Sequence, residues 1–190
     1  MSEAVSALGG ASHDGLISIR EPGPQGMITL RGDLASDRLS AAVQQATGLA
    51  LPATRQAVTS GDFGVLWMSP DEVLVLCPYD QSTEITAKLT SHLADVHALA
   101  VDVSDARAVF VLSGADAHVR EVLAKIAPVD LHPDSLAIGE LRRTRMAQVA
   151  AAFWIKAPGE AQVVCFRSVA GYMFDLLSTS ARTGSSPDLF

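Results

Sequence analysis

Residues 101–133, VDVSDARAVFVLSGADAHVREVLAKIAPVDLHP, constrain the fold of this chain more than any other segment, because strand, turn, strand, helix and exit loop follow one another there without a gap. Val101 and Val103 alternate with Asp102 and Ser104, and Val109, Phe110, Val111 and Leu112 form a second short apolar run. Two strands are therefore expected to meet near Asp105. A helix should follow directly. Ser113 and Asp116 resemble a capping pair, the hydroxyl serving orphan amides and the carboxylate the positive helix end. Val119, Val122, Leu123 and Ile126 then make one apolar stripe, which Pro128 brings to a stop.

The same strand-strand-helix order recurs along the chain. Residues 16–20 and 27–31 read as a strand pair around Pro22, Gly23 and Pro24, followed by a helix over residues 36–47 with Leu39, Ala42, Val43 and Ala46 inward. Residues 64–68 and 73–77 flank the turn Ser69-Pro70-Asp71, and a helix over residues 82–94 buries Ile85, Leu89 and Leu93. A further unit runs as a strand over residues 143–155, turns at Ala157-Pro158-Gly159, returns over residues 161–166 and enters a helix at Ser168. The stripe of that helix is Val169, Tyr172, Met173, Leu176 and Leu177. Four such units imply an α+β fold, mostly antiparallel sheets with helices stacked on one face, grouped as two ferredoxin-like halves. The expected organisation is a single globular domain over residues 15–180, its halves being about 15–97 and 98–180, with a mobile N-terminus (1–14) and a mobile tail (181–190) that nothing fixes to a core. Residues 130–139 read as the longest internal loop.

Apolar residues make up 48% of the 190-residue chain and aromatics only 5%, so the core is built from Ala, Val and Leu, which suits helices on a sheet. With 14 basic against 21 acidic side chains the formal charge is −7. Sequence-independent nucleic-acid binding needs the opposite balance, and no nucleic-acid partner is expected. Cys77 and Cys165 lie far apart in apolar runs and read as buried free thiols. The start of the chain has Glu3 where a secretory signal is basic, and no apolar run approaches the ~18 residues of a membrane helix, so a cytoplasmic location and no membrane partner are expected.

Candidate chemistry is thin. His13, His92, His97, His118 and His132 include no metal-ligand pair one helical turn apart, and none stands beside a Cys or carboxylate cluster. Ser113 lacks the Gly-x-Ser-x-Gly setting of a nucleophile, and Gly9-Gly10 and Gly32 lack the patterns that cradle a phosphate. Asp102 and Asp105 read as turn formers, and Trp67 and Trp154 as core or interface anchors. Arg142, Arg143 and Arg145 are the one dense basic cluster. Strand alternation puts Arg143 and Arg145 on one face, where they could meet carboxylates, a folate tail or a partner subunit, or simply be solvated.

Several segments resemble a known family: residues 101–133 as a whole, Pro128-Val-Asp-Leu-His-Pro133, Thr144-Arg-Met-Ala-Gln148, the run Arg143-Thr-Arg-Met-Ala-Gln-Val-Ala-Ala-Ala-Phe-Trp154, Arg167-Ser168 leading into Gly171-Tyr-Met-Phe-Asp-Leu-Leu177, and Trp67-Met-Ser-Pro-Asp-Glu-Val-Leu-Val-Leu76. Together they look like the gamma subunit of heterotetrameric sarcosine oxidase. The resemblance implies a small structural or assembly subunit of an oxidoreductase complex that demethylates sarcosine to glycine and passes the one-carbon unit to tetrahydrofolate. FAD, FMN, NAD and tetrahydrofolate are implied for the large subunits and no cofactor for this chain. The large alpha subunit is the implied neighbour, with beta and delta subunits completing the complex. No catalytic, cofactor-binding or metal residue is assigned here.

The same segments are similar, more distantly, to the folate-binding domain of the glycine-cleavage aminomethyltransferase, which supplies a competing expectation of an independent folate-binding or regulatory protein. Asp130 would fall near that family's acidic loop residue. Val129 stands where that family has Asn, however, and Ala150-Ala-Ala-Phe-Trp154 replaces its Gly-Gly-x-x-Asp-Asp feature, so Asp130 is assigned to the loop. A homodimeric scaffold is the third expectation.

Overall fold

A computed structural model describes residues 4–190. The chain divides into a continuous unit, Gln25–Ser104, and a split unit made of Met1–Pro24 with Asp105–Phe190. The split unit begins with β1 (Ser12–Asp14) and β2 (Ser18–Arg20). The continuous unit holds β3 (Gly26–Arg31), α1 (Asp37–Thr47), β4 (Ala57–Ser60), β5 (Phe63–Ser69), β6 (Glu72–Cys77), α2 (Ser82–His92) and β7 (Leu99–Asp102). The split unit resumes with β8 (Arg107–Ser113), α3 (Asp116–Ala124), β9 (Leu141–Met146), β10 (Val149–Ala157), β11 (Glu160–Phe166) and α4 (Ala170–Ser180).

In the continuous unit the strand order is β4-β5-β6-β3-β7, and neighbouring strands pair antiparallel. Period-2 alternation sends Ile28 and Leu30 of β3, Val65 of β5, and Val73, Val75 and Cys77 of β6 to one face, where they meet Leu39, Ala42 and Val43 of α1 and Ile85 and Leu89 of α2. Each fully buried Leu, Ile or Val there contributes about 1.5–3 kcal/mol relative to exposure, far more than helix propensity supplies. α1 stops at Gly48, whose φ of 74° lets its amide bond back to Gln44 O at 2.8 Å, a conformation that costs glycine nothing.

The split unit repeats that plan. Its order is β1-β2-β8-β11-β10-β9, so β8, β11, β10 and β9 take the places of β3, β6, β5 and β4. Ala108, Phe110 and Leu112 of β8 join Ala161, Val163 and Cys165 of β11 and Phe153 and Ile155 of β10 under Val119, Val122 and Leu123 of α3 and Ala170, Met173 and Leu177 of α4. Among the described residues no strand follows α4 in the position that β7 holds after α2. That place beside β8 is filled from the start of the chain by β2, in register Ser18↔Ser113, Ile19↔Leu112 and Arg20↔Val111. The join is tight, because the Leu16 amide donates to Ala181 O at 2.6 Å just past α4.

The expected α+β fold of helices over antiparallel sheets is present, with four corrections. The pairs expected at residues 16–31 and around Asp105 are not hairpins, since β2 and β8 lie in one sheet and β3 and β7 in the other. The division therefore falls at Pro24/Gln25 and Ser104/Asp105 rather than near His97. Alternation identifies a strand but not its partner, and the two hairpins with tight turns, β5-β6 and β10-β11, are the ones that were legible. The expected single strand over residues 143–155 is a hairpin, β9 returning as β10 through Ala147-Gln148 with Met146 opposite Val149. Ser113 does not cap α3; it ends β8 opposite Glu160, and Ala115 holds the N-cap position.

Both ends make hydrogen bonds to the split unit where they are described. Residues 1–3 lie outside the described residues, but β1 pairs with β2, and the buried Glu21 carboxylate accepts the amides of Leu8 and Gly10 and the Ser6 hydroxyl. The Arg167 guanidinium donates to Val5 O at 2.8 Å and Ser6 O at 3.2 Å. At the other end Glu121, 1% exposed, accepts the Leu189 amide and the Ser186 hydroxyl, both at 2.6 Å. These contacts lie in the segments expected to be mobile, residues 1–14 and 181–190, because a buried carboxylate recruits backbone donors that composition does not reveal.

A Cβ on Gly15 would lie 2.1 Å from Ala181 O, a backbone atom that cannot step aside. Gly15→Ala should therefore destabilise the chain by about 1–3 kcal/mol, seen as a lower urea midpoint, whereas Ala at open Gly171 should not.

Candidate functional site

The loop between α3 and β9, which carries Asp130 and leads into the arginine strand, is organised from beneath by Arg120. Val119, Val122 and Leu123 commit one side of α3 to the core, and the neighbouring Arg120 is drawn under the loop with only 3% of its side chain exposed. A guanidinium taken out of water needs every donor answered. Nε donates to Asp116 Oδ2 at 2.8 Å, one turn earlier, and Nη1 donates to Leu131 O and Leu136 O, each at 2.9 Å. Asp116 in turn accepts the Gly159 amide at 2.9 Å, which ties α3 to the β10-β11 turn. Burial by itself would raise the Asp116 carboxyl, but the Gly159 amide and the Arg120 guanidinium outweigh it and hold the group below the usual carboxylate range.

Asp130 sits at the surface of this loop. Its Oδ1 accepts the His132 amide at 2.9 Å, and the Ser135 hydroxyl and that amide keep its carboxyl low. That is an Asx-type turn with an ionised acceptor, not a carboxyl held protonated to act as an acid. His132 lies 3.6 Å from Asp134 and 6.2 Å, ring to ring, from Phe190.

β9 displays the arginines as alternation requires. Arg143 and Arg145 are exposed on one face, and Arg145 donates to Gln148 Oε1 at 2.9 Å. Arg142 turns the other way, to Leu141 O, Ser135 O and Glu140. Beside Arg145 a surface hollow of about 550 Å³ is lined by Lys125, Ile126, Pro128, Ala147 and Gln148. The Lys125 ammonium is already committed to Ser180 O at 2.7 Å and to the Ser185 hydroxyl. A second hollow, about 760 Å³, lies in the continuous unit between Arg31, Asp33, Asp71, His97 and Leu99. Asp130 lines neither hollow.

The remaining sequence candidates do not converge. Asp102 accepts the Ser104 amide at 3.0 Å, and although burial opposes it, hydrogen bonds from Ser104 and Ser82 hold its carboxyl low; it forms a turn. Among the described residues no three His, Cys, Asp or Glu side chains form a group able to hold a metal ion. Cys77 and Cys165 are free and buried, and burial pushes each thiol up to about 11, so neither supplies thiolate at neutral pH. Trp154 is fully buried and Trp67 half-buried. Sequence reasoning passed over Arg120, Glu121 and Glu21; the Asp116/Arg120 spacing of one helical turn was the available signal for the first.

Two antiparallel units, each with two helices over one face of its sheet, define an α+β protein of repeated ferredoxin-like units. The sarcosine oxidase gamma subunit family matches over residues 31–182, and the chain belongs to that family. The sarcosine oxidase subunit gamma of Corynebacterium sp. (strain P-1) is 34% identical over 116 residues, 60% of this chain and 55% of that protein. The chain thus spans about half the length of the curated relatives it matches. Among solved structures, a chain of the heterotetrameric sarcosine oxidase from Corynebacterium sp. U-96 superposes with TM-score 0.80 at 24% identity, covering 94% of this chain and 91% of that one. The glycine cleavage aminomethyltransferase T from Bartonella henselae superposes with TM-score 0.58 at 12% identity, over 80% of this chain and 43% of that one. At those identities the two superpositions establish the shared fold.

Arg120→Met should cost about 2–4 kcal/mol, because it strands the two loop carbonyls and removes Asp116's cation. Urea unfolding should show a lower midpoint at an unchanged m-value, and hydrogen exchange should rise in residues 130–139 ahead of the strands.

Proposed function

We propose that this chain is a small structural and assembly subunit of a heterotetrameric sarcosine oxidase and performs no catalysis by itself. The large subunits would carry FAD, FMN, NAD and tetrahydrofolate and would demethylate sarcosine oxidatively to glycine. This chain would bind the alpha subunit, with beta and delta subunits completing a cytoplasmic complex. The observation that carries the reading is family membership over residues 31–182. The geometry supports it: the one acidic residue that the aminomethyltransferase likeness singles out, Asp130, is spent on its own loop.

Co-expression with the alpha-type subunit followed by size-exclusion chromatography tests the proposal. Co-elution at a fixed ratio is expected, and a soluble alpha subunit that never co-elutes with this chain would defeat it.

The fold shared with aminomethyltransferase T favours a second reading, folate binding by the chain alone. A ligand at 100 times its dissociation constant would add about 2.7 kcal/mol, several degrees in Tm for a chain of this size. The assembly reading expects no thermal shift of the isolated chain in saturating tetrahydrofolate, and a shift of that size would support the second reading instead.

A further inference from the structure

Four strands end the two sheets: β1 and β9 in the split unit, β4 and β7 in the continuous one. Open edges invite pairing by other chains, and proteins blunt them with charge or brevity. β1 is the three polar residues Ser12-His13-Asp14, and β9 presents exposed Arg143 and Arg145. β4, Ala57–Ser60, is four residues of which none is a large exposed apolar side chain. β7 is different. Leu99 and Val101 are 56% and 40% exposed, and the strand's one charge, Asp102, is engaged with Ser104.

Both apolar side chains share a face, since Ala100 between them packs against the core under the helices. The Val103 amide bonds to Met27 O at 2.8 Å. In the β3-β7 register this turns the backbone groups of Leu99 and Val101 toward β3 and those of Ala100 and Asp102 outward.

The repeat itself shows what covers such an edge. β7 stands in the continuous unit where β2 stands in the split unit, each flanking the first strand of its repeat. β2 is not left open: β1 pairs with it antiparallel, Ser12↔Arg20 through Asp14↔Ser18. The equivalent outer position beside β7 is not filled by any strand among the described residues.

We propose that the edge of β7 receives an extended segment of the partner subunit, which adds as an antiparallel strand and lays apolar side chains over Leu99 and Val101. The proposal rests on the assembly reading above and locates its interface. Backbone pairing gives such a contact its register, and alternate side chains give it selectivity.

The test uses the full chain co-expressed with the alpha-type subunit. Leu99→Lys with Val101→Lys should weaken association about 100-fold or more, since two apolar anchors are lost and two charges enter the contact. The isolated double variant should keep the wild-type circular dichroism and Tm, because both side chains are exposed. Arg143→Glu with Arg145→Glu on β9 should leave association within a few-fold of wild type. Hydrogen exchange on the wild-type complex gives an answer that no variant can confuse: the Ala100 and Asp102 amides should become protected on association. Unchanged exchange there, or undiminished binding by the β7 variant, overturns the edge alone and leaves the assembly reading standing. Failure of the wild-type chain to co-elute sinks both. A dimer of the isolated chain that disappears in the β7 variant would assign the edge to a second copy and overturn the proposal.

Discussion

When β2 settles against β8, a strand pair from the start of the chain, β1 with β2, completes a sheet whose other four strands come from its second half. The ladder bonds of that pairing, and the Leu16 amide on Ala181 O at 2.6 Å, close the split unit around the end of α4. Without them β8 would be an open edge and the core would lose Ile17 and Ile19. The continuous unit sits between the two pieces in sequence, so its boundaries are set by where β2 leaves and where β8 begins. Long-range closure of this kind is costly in chain entropy, and the close backbone approach at Gly15 shows how little tolerance the join has.

Buried charge is used in one consistent way. Glu21, Glu121 and Arg120 are each at least 95% buried, and each is satisfied mainly by the backbone or hydroxyls of a segment that would otherwise be irregular. Such groups are expensive to desolvate and worse to leave unpaired, so they commit the segments beside them to one arrangement. Glu21 commits residues 6–10, Arg120 the loop after α3, and Glu121 the tail. The same commitment makes Asp130 and Asp116 acceptors for the His132 and Gly159 amides, which favour their ionised forms.

The helices were legible in the sequence because a 3.6-residue stripe such as Leu39, Ala42 and Val43 has a single burial solution, although Tyr172, expected inward on α4, is 48% exposed while Ala170 is buried. The hairpins at Ser69-Pro70-Asp71 and Ala157-Pro158-Gly159 were legible because turn chemistry forces adjacent strands together. The outward face of Arg143 and Arg145 followed from strict alternation. What escaped was partner choice. Nothing local distinguishes Ile19 seeking Leu112 from Ile19 seeking a strand across Pro22-Gly23-Pro24, and the run over residues 143–155 hides its turn in Ala147-Gln148, where no Gly, Pro or Asn announces it.

The sequence by itself determined the class of fold, most of the helix faces, the free buried thiols and the family, because each depends on short-range pattern or on motifs read in order. Only the tertiary structure decided that β2 belongs beside β8, that Arg120 and Glu121 are interior, and that β7 is the edge with uncovered Leu99 and Val101. Those properties depend on which strands become neighbours across the chain, and on which polar groups that neighbourhood cuts off from water. Both are consequences of closure, which no local window of residues contains.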